Sequence, residues 1–227
     1  MNVTRRRATV EEDAILRGRF LGHWRQCRQP GANDAAEAAW HALAAHYSNP
    51  DRHYHDQRHL IHCLAELDLV ADRLDRPDQV EAAIWFHDVI IVPGRTDNEQ
   101  RSADFFRDIA GPVMPDDFVA AVVELILQTT HRTNPTRPDH QFLCDIDLST
   151  FGSPWKLFLE NSAAIEAEFP GPREEYVRRE TAFLEALARR PRIFLTDHYH
   201  GRLEQQARAN IRRFLEVLRP APAVTNP

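Results

Sequence analysis

The sequence predicts an all-α fold, a single bundle of about eight to ten helices. Apolar residues recur with helical spacing along most of the 227 residues. No alternating pattern longer than a few residues indicates a β-strand, and no repeat or convincing linker divides the chain. We therefore expect one domain over residues 1–227, with a core over about 40–213 and frayed ends at 1–8 and 220–227.

Helix boundaries in the first half of the chain follow from capping and turn signals. Thr9 and Glu12 have the spacing of a capping box, which predicts a helix start. The dipeptide Pro93-Gly94 predicts a turn. Between these signals, the spacing of apolar residues predicts three more helices, over about 33–47, 56–74 and 77–89.

The second half of the chain shows the same organisation. Pro115 marks a helix start, where its missing amide hydrogen costs little. Two pairs that end in proline, Asn134-Pro135 and Arg137-Pro138, predict a loop. The predicted helices of this half span about 97–109, 115–130, 141–151, 154–168, 172–188 and 197–218.

The composition is that of an ordinary globular protein, with 43% hydrophobic and 27% charged residues. It excludes disordered, collagen-like and disulfide-scaffold proteins. The three cysteines are few and widely spaced, which favours a reducing compartment. A net charge of −6 argues against a nucleic-acid duplex as partner. The longest apolar stretch, 118–127, is too short to span a bilayer, so we expect a cytoplasmic protein with no membrane partner.

One His-Asp pair lies where a helix should be apolar. His87 falls within the apolar stripe of the predicted helix 77–89, and Asp88 follows at its edge. Burying both groups is costly unless they have partners. A lone buried histidine usually bonds to a backbone carbonyl, whereas the pair favours a divalent metal. Imidazole and carboxylate ligands suit Mn, Fe, Co, Ni, Zn or Mg.

A third candidate ligand lies on the preceding helix. His59 falls on the flank of the apolar stripe of helix 56–74, whereas His62 points well away from that stripe. We therefore expect His59, and not His62, to face the His87-Asp88 pair.

A fourth candidate ligand is one of two aspartates, Asp145 and Asp147. In a helix, Asp147 falls inside an apolar arc and Asp145 falls about 150° from the centre of that arc. A carboxylate in an apolar arc needs a partner or a metal, so Asp147 is the expected ligand. Asp145 is then either an acceptor that orients a ligating histidine or a surface acid.

The order of these residues resembles the HD-domain superfamily of metal-dependent phosphohydrolases, in a stand-alone branch whose members are described only as predicted HD phosphohydrolases. The motifs that carry the resemblance follow one another over residues 40–213: Arg52-His53-Tyr54-His55 with His59-Leu60, Trp85-Phe86-His87-Asp88, Asn98-Glu99 with Ser102-Ala103, Thr130-His131, Asp145-Ile146-Asp147-Leu148, and Glu204 with Ala207-Arg208-Ala209-Asn210.

The resemblance implies an all-helical fold and a divalent metal held by His59, His87, Asp88 and Asp147. It implies hydrolysis of a phosphate mono- or diester, including nucleotides, by water that the metal activates. The sequence departs from binuclear members of the superfamily, because only His131 and His140 lie between His87 and Asp147. Two alternatives stay open, an HD-fold di-iron oxygenase and a nucleotide-binding module without turnover.

Five further residues are candidates for supporting roles. His55 could bind the substrate phosphate or merely begin a helix, and Arg52 could clamp a phosphate oxygen or lie exposed. Glu99 could orient the attacking water or interact with its helix dipole. His131 lies at a helix end, opposite the main apolar stripe, and is an open candidate for catalysis or metal support. Asp145 completes this set. The expected partner is a small phosphorylated substrate, and the oligomeric state stays open.

Overall fold

The computed structural model describes residues 8–219, and within them the chain is helical, with no strand. This confirms the predicted all-α class. The predicted frayed ends lie outside the described residues, apart from Ala8. Ten α-helices follow in chain order: α1 Val10–Cys27, α2 Ala36–Tyr47, α3 Gln57–Asp68, α4 Pro77–Phe86, α5 Asn98–Ala110, α6 Asp116–Gln128, α7 Pro138–Leu148, α8 Trp155–Glu168, α9 Arg173–Arg189 and α10 Asp197–Leu218. Two short 3-10 helices, Ala71–Arg73 and Ser149–Gly152, follow α3 and α7.

The start of α1 has the predicted capping box. The Glu12 amide donates to Thr9 Oγ1 at 3.1 Å, and the Thr9 amide donates to Glu12 Oε2 at 2.6 Å. Two amides that have no partner within the helix are thereby satisfied.

Helix α4 ends three residues before the predicted end at Val89, and the difference shapes the site. Its last residue is Phe86, and His87 is the C-cap. The carbonyls of Asp88 and Val89 accept from the Arg52 guanidinium at 2.7 Å each. A side chain thus satisfies the carbonyls of the two residues that follow the C-cap, where the helix no longer continues.

An aromatic cluster fixes α4 against the first two helices. Phe20 of α1 stacks on Trp24 with 5.5 Å between ring centroids and meets Trp85 of α4 edge-on at 5.4 Å. Trp40 of α2 contacts Trp85 at 6.4 Å. Full burial of each such ring contributes roughly 1.5–3 kcal/mol. The end of α4, with His87, therefore sits on a rigid base.

The start of α7 is tied to the start of α4. The Asp139 carboxylate accepts from the amides of Asp75 and Arg76 at 3.0 and 2.9 Å. These two amides precede α4 and have no partner within it. The contact holds α7 beside α4, which brings the far end of α7 close to His87.

Within residues 8–219, no helix is both long enough and apolar enough to cross a membrane. Instead, the buried apolar side chains of all ten helices pack into one cluster. Each helix therefore has a face that packs against others, and the site lies where three of them meet.

Candidate metal centre

Four potential metal ligands converge between α3, α4 and α7. His59 lies on α3, Asp147 lies on α7, and His87 and Asp88 follow the last residue of α4. Each contributes one ligand atom, and these four atoms all lie within 4.8 Å of one another. Among the described residues, this is the one group of three or more such side chains that could hold a metal ion.

Helix α3 presents His59 in its first turn. Asp56 caps the helix, since its Oδ1 accepts from the Arg58 amide at 2.8 Å. The His59 side chain is only 1% exposed. It packs between the Tyr54 ring, 5.1 Å away between centroids, and the Cys63 thiol, 3.6 Å from Nε2. Local helix geometry and burial therefore both restrict the orientation of this ring.

The His87 ring is oriented by its own helix. Nδ1 donates to the Ile84 carbonyl at 2.9 Å, so Nε2 is left to face the cluster. A backbone carbonyl in this role selects the tautomer that a metal ligand requires.

The separations of the ligand atoms suit a small cation. Asp88 Oδ2 lies 3.1 Å from His87 Nε2 and 3.4 Å from His59 Nε2. Asp147 Oδ1 lies 3.3 Å from His59 Nε2 and 3.5 Å from His87 Nε2. Two ligands bound at right angles, with bonds of about 2.1 Å, lie roughly 3 Å apart. The donor set and its spacing therefore fit a divalent ion.

The two histidines and two aspartates also shift one another's pKa values. Burial lowers the pKa of His87, but the Asp88 and Asp147 carboxylates outweigh it and hold the pKa well above its usual value. Burial raises the pKa of Asp88 and Asp147, and the neighbouring histidines outweigh it and hold both well below the usual range. Both carboxylates are therefore ionised at neutral pH, as metal ligands must be.

His131 joins the cluster through Asp147. It lies just after α6 in the left-handed region, with φ of 52°, which is uncommon outside glycine. This backbone places its Nε2 2.7 Å from Asp147 Oδ2, while Asp147 Oδ1 faces His59 and His87. The helical stripe of α6 does not predict this position, because His131 lies outside the helix.

His55 lies near the cluster, against a carboxylate that the sequence does not indicate. Its Nδ1 lies 2.5 Å from Glu168 Oε2, and its Nε2 lies 4.0 Å from Asp88 Oδ2. Burial lowers the pKa of His55, but Glu168 and Asp88 outweigh it and raise the pKa. Glu168 Oε1 also accepts from the amides of residues 53, 54 and 55. No periodicity or motif in the sequence points to Glu168, which stands 113 residues after His55.

Arg52 takes neither of the roles expected for it. Arg52 is only 8% exposed, and its guanidinium donates to the carbonyls of His55, Asp88 and Val89. It also lies over the Tyr47 ring, 5.0 Å from the centroid. Because these donors are already used, Arg52 positions two segments of the site and does not clamp a phosphate.

Asp145 likewise differs from both expectations. It is fully buried, and its carboxylate accepts from the amides of Leu195 and Thr196 and from the Thr196 hydroxyl, each at 2.7 Å. It therefore neither lies at the surface nor orients a ligating histidine. Apolar periodicity cannot detect this role, because the partners lie about 50 residues away just before α10.

A cavity of about 440 Å³ opens over the cluster. Asp88, Asp147, His131 and His55 line it, whereas the two buried ligands His59 and His87 lie behind the carboxylates. Glu99, in the first turn of α5, lines the same cavity. Burial raises its pKa, and the negative charges of Asp88 and Asp147 raise it further. Five of the sequence candidates thus line one cavity, His59 and His87 lie behind it, and Arg52 and Asp145 lie outside its lining.

No protein-family model matches this chain, and neither a curated protein nor a solved structure does.

Proposed function

We propose that this protein is a metal-dependent phosphohydrolase of the HD-domain type, which hydrolyses a small phosphate ester. The observation that carries the proposal is the convergence of His59, His87, Asp88 and Asp147 beneath a cavity. The His-Asp pair with a histidine upstream and an aspartate downstream is the pattern on which the resemblance rests. The reaction consumes one water and releases an alcohol, together with inorganic phosphate from a monoester or a phosphate monoester from a diester.

The four residues would hold one divalent ion, among Mn, Mg, Fe, Co, Ni and Zn. A mixed imidazole and carboxylate set suits all of these metals. Four protein ligands leave positions open on a six-coordinate ion. When bound, such an ion lowers the pKa of its water, so that hydroxide is available at neutral pH. It also offsets negative charge on phosphoryl oxygens.

The charge of the cavity supports a cation at this place. Four carboxylates line it near the cluster: Asp88, Glu99, Asp147 and Glu168. A phosphate dianion entering such a cavity is repelled unless a cation lies among these groups. Arg95 and Arg179 also line the cavity, but a metal ion among these four carboxylates would offset their charge at the cluster itself.

The other polar residues of the cavity have separate roles in this proposal. Glu99 lies beside the cluster without belonging to it, and we assign it the orientation of the attacking water and acceptance of its proton. His55, held by Glu168, faces the cluster from the segment that precedes α3. We assign it a hydrogen bond to a phosphoryl oxygen. His131 holds the outer oxygen of Asp147.

A turnover screen on phosphate mono- and diesters with added Mn²⁺ tests the proposal. We expect the parent protein to release phosphate or an alcohol and His87→Ala to lose that activity and the bound metal. His41→Ala is the matched control, because His41 is an exposed histidine on α2. Metal content is measured on the same samples.

Two outcomes would contradict the proposal. His87→Ala could keep the metal stoichiometry and the thermal shift with Mn²⁺ of the parent, which would place the metal elsewhere. Alternatively, no ester could be turned over while two irons bind per chain with a spectrum that changes on reduction, which would favour the di-iron oxygenase.

A further inference from the structure

The cavity has a second end beyond the metal cluster, beside α8, α9 and the 3-10 helix Ser149–Gly152. We call it the aromatic end, because Phe151, Phe158 and Phe183 line it. The ring centroid of Phe151 lies 5.9 Å from that of Phe158 and 6.2 Å from that of Phe183. Phe183 is 38% exposed, so the aromatic end reaches the surface of the protein.

One polar atom in the wall of the aromatic end is buried without a partner. Asn161 lines the cavity and is 5% exposed, and its Oδ1 accepts no hydrogen bond. It lies three residues after Phe158 on α8, so the two side chains share a face of the helix. A buried carbonyl oxygen without a donor is costly, and it indicates a missing N–H or O–H group.

Helix α9 presents a carboxylate to the same end. Glu180 lines the cavity and lies three residues before Phe183 and four after Tyr176, so the three share a face. The Tyr176 hydroxyl donates to the Ser162 carbonyl at 3.4 Å, which turns this face toward the part of α8 that carries Asn161. The two polar side chains therefore border the aromatic end from opposite helices.

Among the described residues, Glu180 has no counter-charge. Across residues 8–219, no hydrogen bond or ion pair reaches its carboxylate. Arg179, the neighbouring cation, instead donates to Glu175 at 2.8 Å and to the Gly94 carbonyl at 2.9 Å. Burial raises the pKa of Glu180 to about 7, as expected of a carboxyl group that lacks a cationic partner.

We propose that the aromatic end binds the organic part of the substrate, and that Asn161 and Glu180 together bind an amino group carried on an apolar or planar body. The amine donates to Asn161 Oδ1 and, as an ammonium ion, pairs with the Glu180 carboxylate. The aromatic rings bury the body that carries it. The cavity volume of about 440 Å³ limits the ligand to a small molecule. This assignment rests on the proposed function only in treating the bound molecule as the organic part of a phosphate ester substrate.

Binding of matched probes tests the subsite without any turnover. Benzylamine and benzyl alcohol have similar shapes, and only the first carries an ammonium group. Calorimetry at about pH 8, above the pKa of Glu180, compares their affinities for the parent protein. We expect benzylamine to bind about tenfold more tightly or better, since a charged hydrogen bond in a partly buried site is worth that much.

Three variants then assign the preference to its residues. Glu180→Gln keeps the size of the side chain and removes its charge, and Asn161→Leu keeps the approximate size and removes the acceptor. Glu180→Gln should reduce the preference for benzylamine about tenfold, and Asn161→Leu should weaken the binding of benzylamine itself about tenfold. Glu185→Gln, an exposed glutamate on the same helix, should leave the preference unchanged. Thermal denaturation confirms that each variant is folded.

The subsite is wrong if both probes bind equally, if neither binds, if the preference survives Glu180→Gln, or if Asn161→Leu binds benzylamine as tightly as the parent. These outcomes are independent of hydrolysis. If amine binding follows the expected pattern while no ester is turned over, the subsite stands and the proposed hydrolysis fails. If esters are hydrolysed without any preference for an amino-bearing leaving group, the hydrolysis stands and the subsite fails.

Discussion

The imidazole rings of His59, on α3, and His87, at the end of α4, face each other with their Nε2 atoms 3.2 Å apart. Each ring is only 1% exposed. His87 Nδ1 is already bonded to the Ile84 carbonyl, so its Nε2 is the atom that faces His59. Two buried imidazoles directed at one point, with two carboxylates beside them, need protons or a cation between them.

His59→Ala should remove metal binding and turnover, whereas His62→Ala should keep both nearly intact. The two residues are three positions apart on α3. His62 Nε2 lies 2.7 Å from Ser149 Oγ, away from the cluster, so its loss should cost roughly 1 kcal/mol of unfolding free energy. Metal content and kcat/KM of both variants check this, and the reverse result would show that the helix phase of α3 is misassigned.

Asp147→Asn and Asp145→Asn should fail in different ways. Asp147→Asn removes a carboxylate from the cluster, so metal-dependent turnover should fall by orders of magnitude. The Asp145 carboxylate accepts from three donors, two at Thr196 and one at Leu195, and Asp145→Asn replaces one of its oxygens by an amide nitrogen. The unfolding free energy should therefore fall by about 1–3 kcal/mol while metal binding persists. Denaturant unfolding and metal titration separate the two, and a metal-free Asp145→Asn protein of normal stability would contradict the assignment.

His131→Ala should weaken metal binding about 10- to 100-fold, because His131 holds the outer oxygen of Asp147. His131→Asn separates the loss of the imidazole from any change of the backbone conformation. Asparagine tolerates the left-handed conformation of this position but does not reach as far as histidine. Metal titration should show similar losses for both variants, and parent-like affinity in either would remove His131 from the site.

Glu168→Gln should change how stability depends on pH. Burial raises the pKa of Glu168, but His55 and the amides of residues 54 and 55 outweigh it and lower the pKa to about 2. Since the folded pKa lies below the unfolded value of about 4.3, this carboxylate stabilises the fold above that value. The contribution, up to about 3 kcal/mol, is lost as pH falls from about 4.3 toward 2.

The measurement is the unfolding free energy of the parent and of Glu168→Gln between about pH 2 and 7. The difference between the two should be largest at neutral pH and should shrink below about pH 4. Glu166→Gln on the same helix is the control, since Glu166 pairs with Arg173 at the surface. A difference that is constant over the whole range would exclude the ion pair with His55.

The helices and the inward-facing histidines could be predicted from the sequence because helical period is a local property. The apolar spacing of α3 and α4 places His59 and His87 toward the core in any packing that buries those stripes. The same reasoning points Asp145 and Asp147 in different directions around α7, but it does not predict burial, because Asp145 is 0% exposed and Asp147 is 18% exposed. The chemistry of these residues, two imidazoles and two carboxylates, was also readable before any packing was known.

Tertiary structure alone decided which partners those residues meet. Glu168 contacts His55 across 113 residues, and Asp145 contacts Thr196 across 51, through hydrogen bonds that no periodicity encodes. Arg52 is buried because carbonyls of two separate segments surround it. His131 reaches Asp147 only because its backbone adopts a left-handed conformation after α6 ends. A helix determines where its own side chains point, whereas the groups opposite them depend on how the other helices pack.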